Sequence, residues 1–397
     1  MLSNEQHLSL QEFFLSAHIA GLPEICFNKM LGRYPHKALF DSDTAAAEFL
    51  RANGHQPTPL YSLTAAANKL KLASLLVKDE SRVLGQKSFK MRGAAWAIAQ
   101  LCCRKLQIAQ QDASFAALRE SLAQLPKPLL FVSATDGNHG AAVAAVAASL
   151  RQKAVIFLPA GAALARVRAI TALGASCVVS DCNYDDTVAL ASQFANEQEG
   201  LLIQDTAWPG YAEIPLWIMQ GYATIAGEIA QELAPGLPTH VFLQAGVGSF
   251  AASIMQAFAN IARDHGLPLP RFISVEPACA NCVYQSIKAG DGEAATVCGP
   301  MATIMAGLAC GQPSSLAWPI LRDKLTAAAS CPDWIAEAGI QILATPLPGD
   351  PALTAGASAV PGLGLLRWLM TSSAELGAQL GLGPEARALI IATEGQL

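Results

Sequence analysis

The sequence predicts an α/β protein of two domains, built on open, mostly parallel sheets with helices on both faces. Three observations predict it. Short apolar runs alternate with helical patterns along most of the 397 residues. Most of those runs are apolar on both faces, as in strands buried between helix layers. The β-then-α rhythm calls for right-handed crossovers between parallel strands. A chain of this length with 52% hydrophobic and only 14% charged residues can bury a large core.

Strands are expected at "SLLVKDE" (74–80), "LLFVSA" (129–134), "AVIFLP" (154–159), "CVVSD" (177–181), "LLIQD" (201–205), "HVFLQAG" (240–246), "FISVEP" (272–277) and "ALIIATE" (388–394). Helices are expected over 92–103, 140–150, 164–173, 184–197, 215–234 and 250–264. From about 305 to 360 the chain is rich in Pro, Gly and Ala with weak periodicity, which predicts irregular structure.

A net charge of −5 without a Lys/Arg run gives no electrostatic footprint for nucleic acid or an anionic membrane, so a small-molecule partner is expected. No apolar run approaches a transmembrane length and the amino terminus lacks a basic-then-apolar leader, so the expected location is cytoplasmic. Ten cysteines are too sparse for a disulfide scaffold, and neither Cys102-Cys103 nor Cys279-x-x-Cys282 has a second pair at zinc spacing. No metal is expected, and a reducing compartment argues against a bridge between Cys282 and Cys310.

Four polar segments stand out, three of them at carboxyl ends of strands, where open α/β sheets bind ligands. "SFKMRGA" places Lys90 at a helix start with Lys87 and Arg92 close in sequence, a setting that disfavours a charged amine and suits imine formation. "TDGNHG" puts Asp136, Asn138 and His139 between an apolar strand and an alanine-rich helix. Asp136 can be a turn aspartate or a base, and His139 a base or a loop-orienting residue. "QDTAWPGY" ends a buried strand on Asp205, either a cap or a group that holds an amine cation. "QAGVGS" (Gln244–Ser249) opens a helix, so backbone N–H groups of Gly246, Val247, Gly248 and Ser249 can cradle a phosphate. The same glycines, with Ala251 and Glu276 beyond, also fit a dinucleotide fingerprint.

Together the segments resemble the pyridoxal-phosphate enzymes with the tryptophan-synthase-β-like fold, fold type II. "TDGNHG", "QDTAWPGY", "WIMQGY", "QAGVGS", "VEP" and "TIMAGLACGQP", in that order, resemble the narrower family of diaminopropionate ammonia-lyases. The resemblance implies pyridoxal 5'-phosphate linked to Lys90, Asn138 on the ring oxygen with Gly137 and Gly140 giving it room, a phosphate rather than a dinucleotide at Gly246–Ser249, and Thr393 by the pyridine nitrogen. It also implies that Asp136 takes the α-proton of the D-substrate, Lys90 that of the L-substrate, and that Asp205 recognises the substrate's amino group. The implied reaction is α,β-elimination of 2,3-diaminopropionate to pyruvate and ammonia, in a homodimer. Residues 1–95 with 215–397 would form a large cofactor-binding domain and 96–214 a small α/β domain, with the site in the cleft. Three departures stand out: Ala357 where the family carries a glutamate, Lys87 where it carries an asparagine, and "TEGQL" at the end where a longer tail is expected. Rival expectations are a serine/threonine dehydratase, a nicotinamide dehydrogenase, and a cofactor-binding homologue with reduced activity.

Overall fold

The computed structural model describes residues 21–34, 37–41, 43–135 and 137–396. Asp136, a candidate base, lies outside them. Eleven strands are found among the described residues: β1 (Glu24–Phe27), β2 (Leu60–Ser62), β3 (Ser74–Asp79), β4 (Leu130–Ala134), β5 (Lys153–Leu158), β6 (Ser176–Val179), β7 (Leu201–Leu202), β8 (His240–Gln244), β9 (Arg271–Pro277), β10 (Leu325–Cys331) and β11 (Arg387–Ala392).

They form two sheets. Seven strands lie in the order β1-β10-β9-β8-β11-β3-β2, and four in the order β6-β5-β4-β7. Every pairing in the smaller sheet is parallel, whereas the larger one has antiparallel edges where β1 meets β10 and β2 meets β3. Strands covered on both faces need continuous apolarity, and the central ones show it: β8 is buried at all five positions. One face of the large sheet packs on helices Lys90–Leu106, Glu213–Leu233 and Ser249–His265, the other on Asp333–Ala344 and Pro361–Ser372.

The expectation of irregular structure over 305–360 is overturned in part. The stretch holds a helix (Ala317–Lys324), strand β10 and a helix (Asp333–Ala344). "LTAAASC" has little intrinsic β preference, but it is clamped between β1 and β9, and its alanines let it sit buried in the sheet at every position but Thr326. The expected domain limits near 95 and 215 both fall inside helices, Lys90–Leu106 and Glu213–Leu233.

Candidate active site

A cavity of about 580 Å³ is lined from both sheets and gathers Lys90, Asn138, Asp205, Gly246, Val247, Gly248, Ser249 and Thr393. These residues lie far apart in sequence but end strands or begin helices that converge on one opening.

Lys90 is the first residue of its helix, two residues before the start that the apolar periodicity suggests. Its Nζ is ion-paired with Asp205 Oδ2. The rings of Phe89 and Tyr222 flank it, their centroids 5.2 and 5.7 Å from Nζ. Burial alone would push the Asp205 carboxyl up, but the charges of Lys90 and His139 outweigh it and hold the carboxyl at about 2. Asp205 is therefore an anion at any physiological pH. His139 Nδ1 stands 3.9 Å from Asp205 Oδ2, while its Nε2 bonds the carbonyl of Ile203 at 2.9 Å. Burial raises the Tyr222 hydroxyl, which stays protonated beside the pair.

The cations close to Lys90 in sequence do not set its amine. Arg92 does not act on the amine: its guanidinium is fully buried on the far side, bonded to Glu80 at 2.7 and 2.8 Å and to Glu228 at 2.6 and 3.0 Å. Lys87 reaches outward to the carbonyl of Gln396 at 3.1 Å. Lys90 is set by Asp205, not by neighbouring cations.

Opposite the amine, residues 245–250 carry the chain from β8 into helix Ser249–His265, whose first-turn N–H groups have no intrahelical acceptor. Gly248 caps that helix at φ +84°, and a Cβ there would stand 2.5 Å from Leu321 Cδ1. The loop is pinned from behind: Ser314 N donates to the Val247 carbonyl at 2.8 Å, and Ser249 Oγ to the Asp205 carbonyl at 2.8 Å. Glu276 does not serve a ribose. It is buried away from the cavity, accepts the N–H groups of Val283 and Tyr284 at 2.8 and 2.6 Å, and burial pushes its carboxyl up to about 8.

Asn138 begins helix Asn138–Ser149 and faces the cavity. Gly140 gives room to something other than a ligand ring: a Cβ there would meet Thr135 Cγ2 at 2.4 Å and Ile156 Cγ2 at 2.5 Å, so this glycine seats the helix against β4 and β5. Thr393 follows β11, and its hydroxyl accepts from Gln244 Nε2 at 2.7 Å. The same nitrogen reaches the carbonyls of Ala359 and Ile391, each at 2.9 Å, so its two N–H bonds are shared among three acceptors. With an acceptor position so used, the Thr393 hydroxyl proton is left for a partner in the cavity.

Sequence reasoning did not single out Gln244, Tyr222 or Glu394. Gln244 and Glu394 carry a positional signal: Glu394 adjoins Thr393, and Gln244 stands two residues before Gly246 at the carboxyl end of β8. Ala357 offers no carboxylate; the Glu394 side chain instead lies against Gly356 and Ser358. Cys282 and Cys310 are buried and form no disulfide.

An amine, an anion-accepting helix start with no room for side chains, and an uncharged hydroxyl donor together fit a carbonyl compound bearing a phosphate monoester and a heteroaromatic ring. Comparisons with known proteins agree. Residues 52–368 match the family model described as pyridoxal-phosphate dependent enzyme. The chain is 45% identical over 345 residues to a diaminopropionate ammonia-lyase of Salmonella typhimurium, covering 85% of each. It superposes with a TM-score of 0.87 and 41% identity on the crystal structure of the selenomethionine-incorporated holo diaminopropionate ammonia-lyase of Escherichia coli, covering 94% of both chains. A second crystal structure of that E. coli enzyme, in complex with an aminoacrylate-PLP azomethine reaction intermediate, matches with TM-score 0.84 and 40% identity over 95% of this chain and 94% of the other.

Proposed function

This chain belongs to the pyridoxal-phosphate-dependent enzymes, and within them to the diaminopropionate ammonia-lyases, and we propose that it eliminates the β-amino group of 2,3-diaminopropionate and that hydrolysis of the resulting aminoacrylate gives pyruvate and a second ammonia. The observation that carries the proposal is the Lys90–Asp205 ion pair set in one cavity with the Gly246–Ser249 loop. When bound, pyridoxal phosphate supplies an electron sink for the charge left on the α-carbon after proton removal.

The chain's own residues do the rest. Lys90 holds the cofactor and, once displaced by substrate, is the base for the L-isomer. With Lys90 committed to the cofactor, the buried Asp205 carboxylate, still 3.9 Å from His139 Nδ1, would hold the ammonium of an incoming substrate. Residues 246–249 take the phosphate on backbone N–H groups. Thr393, fixed as an acceptor by Gln244, donates to the pyridine nitrogen, and Asn138 donates to the ring oxygen. Asp136 is the base for the D-isomer; its neighbours Thr135 and Asn138 line the cavity.

The cavity's position between two sheets supports a division into a large cofactor-binding domain (1–95 and 215–397) and a small one (96–214). The same reading carries a cytoplasmic homodimer, for which light scattering should give twice the 41.5 kDa chain mass. The activity is tested by supplying D- and L-diaminopropionate, serine and threonine. Two ammonia per pyruvate from diaminopropionate, well above release from either hydroxy amino acid, is expected; preferential turnover of serine or threonine would make the chain a dehydratase.

A further inference from the structure

The last described turn of the chain brings a buried carboxyl group to the cavity. Glu394, 8% exposed, lines the cavity beside Thr393. Its Oε2 accepts from Asn138 Nδ2 and its Oε1 from the Ser358 N–H at 3.2 Å. The backbone is tied as well: Gly356 N donates to the Glu394 carbonyl at 3.1 Å, and Ser88 pairs with Glu394 in an isolated bridge. The carboxylate is admitted by a missing side chain, since a Cβ on Gly356 would stand 2.3 Å from Oε1.

Both oxygens of the Glu394 side chain accept an N–H, so it takes the NH₂ end of the facing Asn138 amide. Asn138 is thereby fixed with its nitrogen toward Glu394, and one of its two N–H bonds remains for an acceptor in the cavity. We propose that Glu394 is the positioning residue that presents Asn138 to the cofactor's ring oxygen as a hydrogen-bond donor. The proposal rests on the pyridoxal-phosphate reading above.

Glu394→Gln tests it. Glutamine has one acceptor oxygen for two donors, so either Ser358 N or Asn138 loses its partner, or the Asn138 amide turns over. A donor on the ring oxygen stabilises its anion and lowers the proton affinity of the conjugated lysine linkage. Its loss should move the pH midpoint of the holoenzyme's visible absorption change upward by about one unit.

Wild type, Asn138→Ala, Glu394→Gln and the double variant are titrated spectroscopically as holoenzymes. Asn138→Ala and Glu394→Gln should shift the midpoint in the same direction, and the double variant no further than Asn138→Ala alone. Gly356→Ala, which displaces the carboxylate without changing its chemistry, should do likewise and stands in if Glu394→Gln does not fold. A wild-type midpoint in Glu394→Gln or Gly356→Ala while Asn138→Ala shifts, or additive shifts in the double variant, overturns the proposal. A merely structural Glu394 would lower thermal stability and leave the midpoint in place. No shift in Asn138→Ala would overturn the underlying placement of the cofactor ring instead.

Discussion

Replacing Gly248 with alanine should damage the protein with or without cofactor, for two separable reasons. The residue sits at φ +84°, which costs a residue with a side chain about 1–2 kcal/mol. The new methyl would also stand 2.5 Å from Leu321 Cδ1, on a side chain fully buried in the core. Relieving that overlap by shifting backbone or rotamer costs about 1–3 kcal/mol. The sum is about 2–5 kcal/mol in the apoprotein, measured by denaturant unfolding. Any backbone shift also disturbs the Val247–Ser314 and Ser249–Asp205 hydrogen bonds that shape the loop. Cofactor affinity should fall about tenfold for each 1.4 kcal/mol of strain expressed there. Gly266→Ala is the control: its φ is +62° with nothing within 4 Å, so it carries the backbone cost alone. Adding Leu321→Ala to Gly248→Ala should recover about 1–3 kcal/mol relative to the sum of the single changes. If Gly248→Ala is no worse than Gly266→Ala, or if the pair is strictly additive, the close-packed loop is wrong.

Asp136→Asn should cut elimination from D-diaminopropionate by about 10²- to 10⁴-fold and from the L-isomer much less, in steady-state assays of both; equal losses would make Asp136 a binding residue. Glu276 binds its proton more tightly folded, at about 8, than at its ordinary 4.5. The stability this contributes is complete below about 4.5 and is lost as pH rises toward 8, so Glu276→Gln should flatten the fall in melting temperature across that window. Arg92→Ala strands Glu80, itself fully buried, and should destabilise the fold by about 3–5 kcal/mol in denaturant titrations.

Much of the fold was legible because buried parallel strands announce themselves by continuous apolarity, as "HVFLQ" and "ALIIA" do. β10 escaped because its alanines owe their strand conformation to neighbours on both sides, a tertiary effect without local trace. At the site, Lys90, Asn138, Asp205 and the glycine loop could be read from their places at strand ends and helix starts, and the structure brings them to one cavity. What acts on each of them could not be read locally. Asp205 meets Lys90 across 115 positions and Glu394 meets Asn138 across 256, so proximity in sequence pointed to Arg92 and Lys87 instead. Arg92 belongs to a buried ion cluster with Glu80, Glu228 and Lys78 that anchors the start of the lysine's helix without facing the amine.

The central claim is that Lys90 carries the cofactor, and borohydride reduction of the holoenzyme followed by peptide mass mapping tests it most directly. A phosphopyridoxyl group should be found on the peptide containing Lys90, and no lysine should be labelled in Lys90→Ala. A label on another lysine of the wild type, or on none, would contradict the account.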